Sequence, residues 1–432
     1  MSAPRWGALG MTAGLLLICE GSTARAAGKT LPDLVVSSIG FTSPVSPVAG
    51  QSVTFSCVVK NAGKGNVASG EVIGVGYLID GVQVSWGTVY GPLRGGQSIT
   101  VGTNGGAWGA PEGPHTFTAV VDDVKRIAES NEANNALAKA LPVYALADKG
   151  LFGINLDPPN PAGNPSASAL KAAGVRWARL EWKAAQGYSF YDPIIAAYRA
   201  AGVNVLLLVD YASTGPSKPA CLAPTAAWTT YRGTFTSAVS QLAAHYGDGV
   251  DAWEIWNEPD ICATTGYDPG VPAAHFGLML RDAVDAIRPF STRPIVSGGI
   301  KTGDTSYLAS ARSAAGALTV DAVGVHPYEQ RAPDGWTSTP SDQGDMSAYF
   351  DAYLGAFGLP LWVTEVNTNL LDRQTEYLQN VLVLAGGRYE GQVPVVLWFC
   401  WSDGMVTPFG LLDTSGMQKP AYNRYQQLAT PW

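Results

Sequence analysis

Two glutamates stand at the ends of apolar, strand-like runs. Glu258 lies in WEIWNEPD (Trp253–Asp260), after Asn257 and before Pro259, and Glu365 follows Trp362-Val363-Thr364 in WVTEVN (Trp362–Asn367). If one strand-plus-helix unit takes about 31–36 residues, roughly three such units separate them. Carboxylates raised to one rim of a barrel, three strands apart around it, can meet across a cleft. Cleaving a glycosidic bond needs such a pair, one group as acid/base and the other as nucleophile.

The elements that would position them are legible from Gly150 onward, where apolar strands alternate with amphipathic helices. Strands are expected at 150–156, 175–182, 203–211, 251–257, 294–300, 320–328, 361–367 and 393–401. Helices fall between them, for example at 166–173, 193–201, 226–246, 273–287, 341–357 and 372–385. Eight such repeats in the 150–432 segment predict a (β/α)8 TIM barrel. An open doubly wound sheet would want a glycine-rich phosphate fingerprint after its first strand, and FGINLDPPNPAG has none.

Functional groups of such barrels sit where strands end. Strand two ends at Arg179, Glu181 and Trp182, strand four at Trp256-Asn257-Glu258, and strand six at His326-Pro327-Tyr328. Strand seven ends at Glu365 and strand eight at Trp398 and Trp401. A nucleophilic carboxylate must stay ionised, and Arg179 and Tyr328 are suited to hold Glu365 so. An acid must keep its proton. Glu258, between Trp256 and Pro259 and facing a second carboxylate, is expected to have its pKa raised. Glu254 reads as buried, hydrogen-bonded and non-catalytic. His326 can be a substrate contact or a hydrogen-bonded barrel histidine, and Trp398 a subsite floor or stacked core.

On these motifs, Gly150 to the C-terminus resembles the retaining glycoside hydrolases of the large (β/α)8 clan A, the 4/7 clan. WEIWNEPD and the order Asn-Glu, His-x-Tyr, Thr-Glu, Trp most resemble family 39 and its neighbours. The resemblance implies that Glu258 is the acid/base, Asn257 the contact to the sugar 2-hydroxyl and Glu365 the nucleophile. It also assigns substrate contacts to the strand-two Arg179, the strand-six His326 and Tyr328, and the strand-eight Trp398. The ending FGLLDTSGMQKPAYNRY (Phe409–Tyr425) is similar to the clan's as well. A polysaccharide or oligosaccharide substrate and no cofactor are then expected. Long aromatic loops at 211–228 and 327–346 point to an extended cleft and endo action. A carbohydrate-binding or adhesion protein on an inactive scaffold would not need both glutamates. A transglycosylase would use the same two and differ only in the acceptor.

Residues 31–143 read differently. Short β-rich runs at 34–39, 53–60, 72–79, 82–89, 97–101 and 115–121 alternate with Gly/Asn/Ser turns, which predicts an immunoglobulin-like β-sandwich of about seven strands. AVVDDVKRIAESNEANNALAKAL resembles the closing hairpin of the cell-adhesion-related CARDB domains, and the opening LPDLVVSSI fits the same family. Asp122, Asp123, Glu129, Asn131, Glu132, Asn134 and Asn135 could hold a structural calcium ion or only cap turns.

Composition bounds the rest. The chain has 432 residues, is 46% hydrophobic and 14% charged, and carries a formal net charge of −8, with no basic stripe for nucleic acid and no charge to hold an anionic membrane. Residues 1–27 read as a secretory signal, with Arg5, the apolar Gly10–Ile18 and a cut near Ala26 or Ala27. Leu16-Leu17-Ile18-Cys19 is a poor lipoprotein box, because Ile18 stands where a small residue is usual. A secreted or cell-surface location follows. Cys221 and Cys262 fall in neighbouring loops of one face, where a disulfide is geometrically and chemically accessible. Cys57 and Cys400 read as buried hydrophobes, and no cysteine–histidine cluster suggests zinc.

Overall fold

The computed structural model describes residues 30–43, 47–147, 149–328, 333 and 344–430. The expected signal at 1–27 lies outside the described residues, as does most of the loop 327–346. Among the described residues, no helix is long and apolar enough to cross a membrane.

The N-terminal unit is an antiparallel sandwich. Its strands are β1 (Leu34–Ser43), β2 (Ser52–Asn61), β3 (Val72–Ile79), β4 (Val82–Tyr90), β5 (Ser98–Gly102), the two-residue β6 (Trp108–Gly109), β7 (Gly113–Val121) and β8 (Ala136–Val143). One sheet runs β1-β2-β5 with β6 also on β2, and the other runs β4-β3-β7-β8. Period-two alternation decides which residues meet between the sheets. In β2, Val53, Phe55, Cys57 and Val59 face in and join Val75, Tyr77 and Phe117 in one core. The acid- and amide-rich turn before β8 closes through local bonds. Asp122 accepts from the backbone N–H groups of Arg126 and Ile127, and Asn131 accepts from that of Ala133.

The second unit is a closed parallel barrel. Its strands are β9 (Phe152–Leu156), β10 (Trp177–Glu181), β11 (Asn204–Val209), β12 (Ala252–Asn257), β13 (Ile295–Gly299), β14 (Val323–Val325), β15 (Leu361–Val366) and β16 (Val395–Trp398). They pair in the order β13-β12-β11-β10-β9-β16-β15-β14. Bridges Val296–Ala322 and Ile300–Val325 join the two ends. The helices between strands are α1 (Ala167–Ala173), α2 (Tyr188–Ala200), α3 (Thr225–Tyr246), α4 (Ala273–Ile287), α5 (Ser306–Ala315), α6 (Met346–Phe357) and α7 (Gln374–Gly386), and α8 (Pro420–Ala429) follows the last strand. Each strand is covered on both faces, so its sequence is mostly apolar, with polar exceptions such as Asn155, Arg179, Glu254 and Glu365 that meet at the site. One face fills the barrel interior with Leu206, Ala252, Val296, Ala322, Trp362, Val395 and Leu397. The other packs against the helices.

The two units are joined by buried contacts. Val48, just before β2, belongs to the same apolar cluster as Leu146 and Leu151. Gln51 and Gln379, from the sandwich and α7, exchange amide hydrogen bonds of 3.4 and 3.2 Å with both side chains buried.

Candidate active site

Strand alternation breaks just before each glutamate. In β12, Ala252 and Glu254 point into the barrel, so Trp256 should follow. It does not. Trp256 takes a left-handed backbone, φ +80°, and its ring lies among Tyr211, Tyr231 and Phe235. Its Nε1 donates to Pro269 O at 2.7 Å. The flip turns Asn257 inward, where its Oδ1 accepts from Arg179 Nη2 at 2.7 Å. Glu258 is left-handed too, φ +45°, and its N–H is held by Gly299 O at 3.1 Å. Such conformations in non-glycine residues cost about 1–3 kcal/mol each and persist where the surroundings fix them. In β15, pairing with β16 shifts register between Val363 and Val366, and both Thr364 and Glu365 face the interior network. A bulge beside a site is a common way to re-aim a side chain.

Arg179 organises the floor. It is 5% exposed and forms a two-pronged pair with Glu254, which is fully buried. Its Nη1 donates to Asn155 Oδ1 at 2.8 Å and to Glu365 Oε1 at 2.6 Å. Burial works against the guanidinium charge, but Glu254 and Glu365 hold it firmly protonated. Tyr328 donates to the other Glu365 oxygen, Oε2. Burial, with the Glu365 charge beside it, raises the Tyr328 phenol far above its ordinary value, so it remains a donor. Glu365 thus has a hydrogen-bond donor on each oxygen, the guanidinium on Oε1 and the phenol on Oε2.

Glu258 has different company. His326 Nδ1 lies 3.1 Å from its Oε1 and Lys301 Nζ 3.8 Å from the same atom. Burial pushes the carboxyl up, yet the His326 hydrogen bond and the charges of His326, Lys301 and Arg179 leave it below its ordinary value. This corrects the expectation of a raised pKa, which considered only the apolar neighbours and the second carboxylate. Burial pushes His326 down, and the charges of Glu365 and Glu258 raise it above its ordinary value. The two shifts run in opposite directions, and both favour a charged imidazole one hydrogen bond from a charged Glu258. Thr364 Oγ1 anchors the ring's other nitrogen at 3.0 Å.

One oxygen each of Glu258 and Glu365 and a ring nitrogen of His326 lie within 4.8 Å of one another. Among the described residues this is also the group spaced to ligate a metal ion. Arg179 and Tyr328 already bond Glu365, His326 bonds Glu258, and an added cation would meet the charges of Arg179 and Lys301. The cavity above is about 400 Å³, lined by Asn257, Glu258, Tyr267, Lys301, Tyr328, Glu365, Phe399 and Phe409. Asn257 Nδ2 donates to the Tyr267 hydroxyl oxygen at 2.9 Å. Its neighbour Asp268 accepts from Cys221 N, Ala263 N and Lys218 Nζ, tying the loops after β11 and β12. The disulfide Cys221–Cys262, Cα atoms 5.4 Å apart, joins the same loops.

The structure thus gathers Arg179, Asn257, Glu258, His326, Tyr328 and Glu365 at one site. Trp398 is elsewhere. It is 2% exposed and packs near Tyr377 on the helix side of β16, and Phe399 lines the cavity instead. Tyr267, Lys301, Phe399, Phe409 and Asn155 were not among the site residues read from the sequence. Lys301 carried the plainest signal, as the first charged residue after the apolar fifth strand.

Residues 31–139 match the CARDB family profile. No curated protein matches the chain. Among solved structures, similarity extends to a Bacteroides ovatus GH5 xyloglucanase in complex with a XXXG heptasaccharide (12% identity, 91% of this chain and 100% of that one, TM-score 0.47). It extends also to the endoglucanase Cel5A of Thermotoga maritima (16% identity, 66% and 98%, TM-score 0.46). A calcium-binding mutant of Bacteroides uniformis beta-glucuronidase 2 is similar at 13% identity and TM-score 0.43; the match takes in 92% of this chain but only 51% of that longer one.

Proposed function

We propose that the protein is a secreted retaining glycoside hydrolase that cleaves O-glycosidic bonds of a polysaccharide or oligosaccharide by double displacement, without a cofactor. One observation carries this reading. Two buried carboxylates from the ends of β12 and β15 bring an oxygen each within 4.8 Å at the barrel mouth, one held by Arg179 and Tyr328 and the other hydrogen-bonded to an imidazole. That closeness suits a direct attack on the sugar; inverting enzymes hold the carboxyls about 6.5–9.5 Å apart to admit a water.

Glu365 attacks the anomeric carbon while the leaving-group oxygen takes a proton from Glu258, which draws it along the bond from His326. The glycosyl ester removes the Glu365 charge. Glu258, now ionised, takes a proton from water, which displaces the sugar with net retention. Asn257, fixed by Arg179 and Tyr267, presents its amide to the sugar. The aromatic wall of Tyr267, Phe399 and Phe409 supports endo action on a chain that extends past the site.

The test is the stereochemical course. Nuclear magnetic resonance of the first product on an aryl glycoside should show the retained anomer. Glu365→Ala should lose turnover and, with azide, yield the inverted glycosyl azide. An inverted product from the wild type, or a fully active Glu365→Ala, would overturn the assignment.

A further inference from the structure

Lys301 follows β13 by two residues and points into the cavity. Its backbone is fixed, since its N–H and that of Thr302 donate to the two Asp260 oxygens at 3.2 and 2.7 Å. Its ammonium is not similarly satisfied. Nζ lies 3.8 Å from Glu258 Oε1, too far for a hydrogen bond, and 5.8 Å from the centre of the Tyr328 ring. Among the described residues no acceptor stands within hydrogen-bonding distance of Nζ, and the side chain is 36% exposed. A lysine has three donors to place, so this one is held out toward whatever fills the cavity.

Its position has a cost for the reaction. An acid must keep its proton, and a cation 3.8 Å away favours the ionised carboxylate. The other groups facing Glu258 are His326 and Tyr328 from beyond β14, Arg179 from β10, Glu365 from β15, Tyr211 from the turn after β11 and Tyr267 from the loop after β12. Among the described residues none of them hydrogen-bonds Lys301 Nζ. A negative group delivered by the substrate would do so and would relieve its pull on Glu258. Position also says which sugar carries that group. The nucleophile adjoins the anomeric carbon and the acid adjoins the glycosidic oxygen, so a cation beside the acid meets the sugar on the leaving-group side.

Resting on the hydrolase reading above, we propose that Lys301 binds an anionic substituent, a carboxylate or a sulfate ester, on the leaving-group sugar, and that the natural substrate is an acidic polysaccharide. Binding of that anion and retention of the proton on Glu258 are coupled, since the substrate's charge replaces Glu258 as the partner of Lys301.

The experiment uses the full chain and aryl glycosides of whichever sugar it turns over fastest. Three leaving groups are compared: 4-nitrophenyl, a carboxylated nitrophenyl and a sulfonated nitrophenyl. Intrinsic leaving-group reactivity cancels when each kcat/KM ratio, anionic over neutral, is compared between wild type and Lys301→Gln. The wild-type ratio should exceed that of Lys301→Gln by about fivefold, the scale of a partly exposed ion pair. Lys301→Arg should keep the preference. The larger excess of the two anionic arms identifies carboxylate or sulfate. The alkaline limb of the pH profile should lie higher for anionic than for neutral leaving groups in the wild type, and the difference should vanish in Lys301→Gln. Equal ratios in wild type and Lys301→Gln would overturn this inference while leaving the hydrolase reading intact. No turnover of any glycoside, with Glu365→Ala indistinguishable from wild type, would sink the hydrolase reading and this inference with it.

Discussion

His326 Nδ1 lies 3.1 Å from Glu258 Oε1, and the carboxyl is held low while the imidazole is held high. The pair therefore keeps one proton between them to a higher pH than Glu258 could keep it alone. Turnover should need that proton, and it is lost as pH rises through the raised His326 value. In His326→Gln the stored proton is gone, while Lys301 and Arg179 still favour the ionised Glu258. The alkaline limb of kcat/KM should move to lower pH. A limb unchanged in position would mean that the imidazole does not supply the acid.

Arg179 is expected to be the site's costliest single loss. It faces fully buried Glu254 and nearly buried Glu365, and Asn155 and Asn257 also accept from it. Arg179→Met leaves two carboxylates without their counter-charge, a loss of about 3–5 kcal/mol where a buried pair is broken. Lysine would restore a charge but not the planar fork that reaches four acceptors. Calorimetry should rank wild type above Arg179→Lys above Arg179→Met, with neither variant near wild-type turnover. A lysine variant with normal kinetics would show that charge alone suffices.

Gly299 offers a test of placement without any change of charge. An added Cβ there would lie 2.0 Å from His326 Nε2 and 2.3 Å from Cδ2, so the ring must move. Displacing it breaks its bond to Thr364 and its approach to Glu258. Gly299→Ala should cut kcat/KM by roughly a hundredfold, the scale of a misplacement near 1 Å, and cost about 1–3 kcal/mol of stability from overpacking. Kinetics and thermal melting together check this. Ordinary activity would mean that His326 tolerates displacement.

Much of this architecture was legible in the sequence, because buried parallel strands leave long apolar runs and both glutamates close such runs. What failed was facing. A strand apolar on both sides does not reveal which residues point into the barrel, so the sequence leaves Trp398 as subsite floor or stacked core; it packs outward and Phe399 lines the cavity. Alternation also could not place Asn257 and Glu365 inward, since a left-handed Trp256 and a register shift in β15 do that. The charge state of Glu258 was misread for a related reason. Lys301 and His326 come from other strands, and only the closed barrel brings them beside it. Tyr267 and Phe409 arrive on loops whose paths no periodicity describes.

The last expectation concerns the joint between sandwich and barrel. The cavity-lining and network residues described above lie between Asn155 and Phe409, all in the barrel. A fragment beginning at Ala145 should turn over a small soluble glycoside at the full-chain rate. It should lose activity on an insoluble polymer, which the sandwich would otherwise keep close. Its stability should suffer, because removing the sandwich exposes Leu146 and strips Gln379 of Gln51. Gln51→Ala in the full chain isolates that last effect. It leaves a buried amide partly unpaired, about 1–2 kcal/mol, which lowers the barrel melting temperature by a few degrees. Calorimetry should show the drop in Gln51→Ala and a larger one in the fragment. Equal melting in all three would show that the interface contributes nothing, and loss of turnover on the soluble substrate would place part of the active site in the sandwich.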